Sequence, residues 1–168
     1  MDIYGSTVPV YIKSLQNIER WLDKAVTHAE ARKFDPEVFL QARLAPDQFN
    51  LLRQITVACD TAKWAAAKLA GKEGPVHPDT ETTLSEVRAR LKTVIDYLKT
   101  FEAKDFVGAE ERLCQHAWMG DRRMRGADYV NDYALPNFFF HVTSAYQILR
   151  HSGVELGKRD YLGRLTFA

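Results

Sequence analysis

Apolar residues return every three or four positions over most of this chain, and that period fixes a helical fold before anything else is known. Between about Val8 and Lys33, the residues Tyr11, Leu15, Ile18, Leu22, Val26 and Ala29 form one stripe. A second stripe runs from about Asp47 to Ala70 through Leu52, Ile55, Cys59, Ala62, Ala66 and Leu69, and Gly71 is a natural stop. A third begins near Thr82 or Thr83, where Thr83 and Glu86 fit a capping box. It continues through Leu84, Val87, Leu91, Val94, Leu98 and Phe101, with Glu86–Arg90 and Asp96–Lys99 read as exposed pairs. The last spans about Ala127 to Ser152 and is apolar nearly all round, so it is buried on more than one side. Pro136 lies inside it and predicts a kink or a late start.

The segments between are shorter. Asp35-Pro36 restarts the chain after the first helix, with one short turn over Glu37 to Ala42. Residues 72–80 carry Gly74, Pro75 and Pro78 and read as a connection. From about Ala103 to Gly126 the helical rhythm is lost. Leu113 to Met119, a turn at Gly120-Asp121 and Arg122 to Arg125 fit a small hairpin. Four long helices without central strands predict an all-α four-helix bundle, with residues 1–168 forming a single domain.

Charge narrows the function classes. Lys plus Arg number 23 and Asp plus Glu 22, a net charge of +1, so nothing drives the chain globally onto nucleic acid or an anionic membrane. No stretch is long and apolar enough to span a bilayer, and Met1-Asp2-Ile3-Tyr4 does not open a signal peptide. Two cysteines far apart, Cys59 and Cys114, make neither a disulfide framework nor a zinc site. A cytoplasmic protein is expected. There is no Gly-rich phosphate loop, no CxxC and no Gly-x-Ser-x-Gly.

The last helix carries the one polar group of interest. Asn137, His141 and Ser144 share a face with Val130, Tyr133 and Ile148, which places an amide and an imidazole in or beside the core. Such groups need partners. Ser144 lacks visible oxyanion donors and is not read as a nucleophile. Of the other histidines, His28 ends the first helix, His77 lies between prolines, His116 falls in the irregular segment and His151 suits a helix C-terminus.

The run Ala134-Leu-Pro-Asn-Phe-Phe-Phe-His-Val-Thr-Ser-Ala-Tyr-Gln-Ile-Leu-Arg-His-Ser-Gly-Val154 resembles a bacterial family of unknown function. So do Arg43-Leu-Ala-Pro-Asp47, Ala58-Cys-Asp-Thr-Ala-Lys63, Asp79-Thr-Glu-Thr-Thr83 and Leu156-Gly-Lys-Arg-Asp-Tyr-Leu-Gly163. That family looks like a branch of the DinB/YfiT-like superfamily of four-helix bundles. Many members of that superfamily are read as metalloenzymes, among them thiol-dependent S-transferases and a maleylpyruvate isomerase, and they are often homodimers. The superfamily's metal site is a His triad, one on the second helix and two on the last spaced His-x-x-x-His. The resemblance aligns the final His with His141, the preceding one with Asn137, and the second-helix His with a position near Asp60. One imidazole beside an amide and a carboxylate is a poor set for zinc or nickel. The resemblance therefore implies a degenerate metal site at Asp60, Asn137 and His141, with His141 and Asp60 as its candidate ligands for a divalent metal.

Three readings of these residues stay open: a hydrogen-bonded network that fixes helix register, a weak metal site, and a metal-free ligand or acid–base site. Two functions follow. One is a homodimeric bundle that binds a small molecule or is non-catalytic. The other is a divergent metal-dependent enzyme of the S-transferase or isomerase type.

Overall fold

The computed structural model describes residues 2–167. Four long helices form the bundle: α1 (Ile3–Arg32), α2 (Leu51–Ala70), α3 (Leu84–Leu98) and α4 (Leu135–His151). A short α5 (Lys158–Leu162) follows. The buried faces of the long helices meet in one continuous core that includes Tyr11, Leu22, Ile55, Leu91 and Phe138. α2 sits in the middle of this arrangement, packed against α4 on one side and α3 on another. Its run of small buried residues, Ala58, Ala62, Ala65 and Ala66, lets both neighbours approach.

Local chemistry explains where each helix begins. α1 starts at Ile3, five residues before the apolar stripe does, because the Asp2 carboxylate accepts the Gly5 N–H at 2.9 Å and caps the first turn. A Cβ at position 5 would collide with that carboxylate, so the cap depends on glycine. α2 starts at Leu51 rather than Asp47. Asn50 is extended there (φ −71°, ψ 171°), and its side chain accepts from Arg53 N at 3.0 Å. The expected capping box of α3 is present: Thr83 Oγ1 accepts from Glu86 N at 3.3 Å, and the Glu86 carboxylate accepts from Thr83 N at 3.0 Å. The turn after Pro36 is a 3-10 helix, Pro36–Gln41, opened by the Asp35 side chain.

The hairpin exists in reduced form. β1 (Leu113–Cys114) pairs antiparallel with β2 (Met124–Arg125), and Ala117–Met119 between them is a 3-10 turn rather than strand. The last helix is not simply kinked at Pro136. A single turn, Gly126–Asp128, leads into a π-helical segment, Tyr129–Ala134, that runs straight into α4. Pro136 stands in the first turn of α4, directly after the wider π turns, where its missing N–H and its ring are tolerated. The tail also has order. α5 lies along α1, where Trp21 Nε1 donates to Asp160 O at 3.1 Å and Asn17 Nδ2 to Tyr161 O at 2.9 Å.

Candidate functional site

Two stripes on α2 decide which residues meet. Gln54, Ala58 and Thr61 follow one stripe and face α4, whereas Arg53, Asp60 and Lys63 follow another that faces α3 and the connection before it. At 100° per residue, Gln54 and Asp60 point about 120° apart around the axis. The sequence-based expectation of a carboxylate at position 60 beside His141 is therefore corrected in its pairing. The α2 residue bonded to the imidazole is Gln54, through His141 Nδ1 and Gln54 Oε1 at 2.7 Å.

His141 is 7% exposed. Burial, with the Arg53 charge adding to it, pushes its pKa down to about 4, so the ring is neutral at pH 7. The tautomer follows from its partner. Gln54 Nε2 donates to Phe49 O at 3.2 Å, which turns Gln54 Oε1 toward the ring. An amide oxygen only accepts, so Nδ1 carries the proton and Nε2 holds the lone pair. Among the described residues nothing hydrogen-bonds Nε2. Phe49 lies nearly parallel to the imidazole, with centroids 6.4 Å apart, and Phe140 meets it edge-on at 5.2 Å. Both phenylalanines are more than half exposed, at 51% and 59%.

Asn137 is one helical turn away on α4 and half-buried. Its Nδ2 donates to Thr61 Oγ1 at 2.8 Å, and the Thr61 hydroxyl donates to Val57 O at 2.8 Å. The structure thus brings Asn137 and His141 onto one α2–α4 contact, each held by its own α2 partner. Ser144 is buried one turn further along.

Asp60 belongs elsewhere. Its Oδ1 accepts from Arg90 Nη2 at 2.7 Å and from Lys63 Nζ at 2.7 Å. Arg90 is 4% exposed and also pairs with Glu81 at 2.9 Å and Asp79 at 3.2 Å. It is a buried hub, not one half of an exposed helix pair with Glu86. Lys63, 1% exposed, reaches His77 Nδ1 at 2.9 Å as well. Cys59 is fully buried beside this cluster, and its thiol is pushed up to about 12 by burial.

The donor set at His141 does not fit zinc or nickel: it holds one imidazole, two amides and a hydroxyl, and one imidazole nitrogen is already committed to Gln54. Among the described residues no three His, Cys, Asp or Glu side chains cluster as a metal ion would need. What the arrangement offers chemically is a neutral acceptor nitrogen between two aromatic rings.

Sequence reasoning missed Gln54, Thr61 and Arg90. Gln54 and Thr61 are seven residues apart on a helix whose alanines already imply burial on two sides, and polar residues at that spacing were the available signal. It also passed over His116. That imidazole bonds the buried Tyr129 hydroxyl through Nε2 at 2.8 Å, and burial together with the Lys68 charge pushes its pKa down to about 4.

Comparison with known proteins agrees with the bundle. The model of a domain of unknown function, DUF1993, matches residues 3–162. A crystal structure of a DinB family member from Shewanella denitrificans is 45% identical, with a TM-score of 0.94, over 99% of this chain and 94% of that one. No curated protein matches. The chain belongs to the DUF1993 family, and its fold is that of a DinB-like helical bundle.

Proposed function

We propose that this DinB-like protein binds a small molecule without catalysis, at a degenerate metal site centred on His141 and Asn137. The ligand class is an uncharged molecule with an apolar body and one O–H or N–H donor. One observation carries the reading: a nine-tenths-buried neutral imidazole keeps its Nε2 lone pair without a protein partner, beside two half-exposed phenylalanines. Nε2 reaches solvent, so a ligand's donor would replace water there rather than fill an empty bond. Asp60 is left out of this site because Arg90 and Lys63 already hold its Oδ1.

The protein is further proposed to be a homodimer in the cytoplasm. The dimer rests on the family resemblance, and light scattering against the 19.2 kDa chain reads it directly. Two buried, unpaired thiols suit a reducing compartment. No helix among the described residues is long and apolar enough to cross a membrane.

Phenol and anisole separate a donor site from general greasiness, since only phenol donates. The expected result is that phenol shifts the His141 Nε2 nitrogen signal, anisole does not, and His141→Phe abolishes the calorimetric preference for phenol over anisole. Equal response to both compounds overturns the proposal. So does stoichiometric zinc or nickel that is lost on His141→Phe, which instead fits the metal-dependent enzyme.

A further inference from the structure

Residues 72–83 connect α2 to α3 with no helix or strand of their own, yet they are tied down along their length. Gly74 lies against the Trp64 ring, closely enough that a Cβ would come within 3.0 Å of it. Tyr97 donates to Glu73 O at 3.2 Å. His77 Nδ1 lies 2.9 Å from Lys63 Nζ. Asp79 pairs with Arg53 at 2.7 Å and Glu81 with Arg90 at 2.9 Å. Of these anchors only the imidazole changes charge near neutral pH in its ordinary range.

The Lys63 contact fixes the state of that imidazole. An ammonium has three donors and no acceptor, so it can bond His77 Nδ1 only if that atom offers a lone pair. The ring must then be neutral, with its proton on Nε2. Protonation would set an N–H against the ammonium in place of the bond. The charged groups around it are Lys63 and Asp60 from α2, Arg90 from α3, and Asp79 and Glu81 from the connection itself. Lys63 is 1% exposed and cannot simply turn away into water.

We propose that His77 is a proton-operated latch: residues 72–83 stay docked on α2 and α3 while the ring is neutral, and are released when it is protonated. Burial and the Arg90 and Lys63 charges hold its pKa below the ordinary 6.5, in keeping with this. The sign follows. The docked form binds fewer protons than the open form, so docking is complete above about pH 6.5 and weakens as the pH falls below it, by at most about tenfold per pH unit for one proton. Release uncovers Lys63 and the face of Trp64, and this behaviour does not depend on what His141 binds.

The ring-current shift of the Gly74 protons, which lie against Trp64, followed by NMR between pH 7.5 and 5, tests the latch. In the unmodified protein that shift is lost as the open fraction rises, by up to tenfold per pH unit below 6.5, while α2 and α3 amides stay protected from hydrogen exchange. His77→Asn keeps an acceptor near the Nδ1 position but cannot be charged, so its profile is flat. A flat profile in the unmodified protein overturns the proposal. Equal opening in His77→Asn, or simultaneous loss of protection in α2 and α3, overturns it too. Nitrogen NMR of the unmodified protein gives an independent reading. A bare Nδ1 at pH 7.5 that titrates below 6.5 supports the latch, and a protonated Nδ1 at that pH overturns it.

Discussion

α2 carries two polar clusters on two of its faces, and they solve the problem of buried polarity in opposite ways. Toward α4, Gln54, Thr61, Asn137 and His141 form a neutral set joined pairwise, with acceptor capacity left over at His141. Toward α3, Asp60, Lys63, Arg90, Asp79 and Glu81 form an ionic set in which Arg90 alone meets three carboxylates. The ionic set locks a connection onto the bundle. The neutral set leaves no buried atom unmet and offers a solvent-reaching acceptor at His141, whereas the ionic set strands Arg90 Nε and Glu81 Oε2.

The ionic face should be the more fragile under a single deletion. Arg90→Ala leaves the largely buried Glu81 without its partner while Asp60 keeps Lys63, and breaking a buried pair from one side costs about 3–5 kcal/mol. The urea midpoint should fall accordingly, and the Gly74 contact with Trp64 should loosen before α2 amides lose exchange protection. A loss under about 1 kcal/mol would mean that water reaches Arg90 and that the contrast between the faces is false.

On the neutral face His141→Ala should cost less, about 2 kcal/mol, from the lost packing and the stranded Gln54 oxygen. Replacing both partners by apolar groups, Gln54→Leu with His141→Phe, should recover most of that loss. The pH response is of similar size. His141 titrates near 6.5 when unfolded and is held down to about 4 when folded, so the unfolded state takes up the proton first. Stability is therefore independent of this ring above about pH 6.5. It falls as the pH drops toward 4, by on the order of 3 kcal/mol, and His116 adds a parallel loss. Thermal melts from pH 7.5 to 4 check this, and His141→Phe should flatten the curve.

The bundle was readable because a 3.6-residue period survives any detail of packing. α3 and its capping box appear as expected, since both signals are local. The helix starts shifted where a single side chain decided them, as at Asp2 and Asn50. Pro136 was correctly seen as a disturbance, but the π turns that absorb it have no sequence period of their own. The site was half legible. Asn137 and His141 are on one face of α4 by spacing alone, and both do meet α2. Their α2 partners were not, because a helix buried on two sides has two candidate stripes and spacing within α2 cannot say which one faces α4. Arg90 was misread for a related reason: the pattern of α3 showed an exposed i, i+4 pair, and only tertiary contacts reveal three carboxylates converging on it.

The smallest expected effect gives the sharpest test of the two-face description. Asp60→Asn removes a charge from the Arg90 cluster, and His141→Phe removes the imidazole from the α4 contact. If Asp60 and His141 shared a site, as the alignment with the superfamily's His triad implies, the double variant would depart from additivity by 1 kcal/mol or more, because one change would remove the partner of the other. On separate faces of α2, with Gln54 bonded to one and Arg90 to the other, their coupling should be under about 0.5 kcal/mol. Gln54→Leu paired with His141→Phe should couple strongly in the same assay, since those two side chains bond directly at 2.7 Å. Measuring both cycles by urea denaturation ranks the two α2 residues as partners of the imidazole, and strong coupling to position 60 would merge the faces into one site.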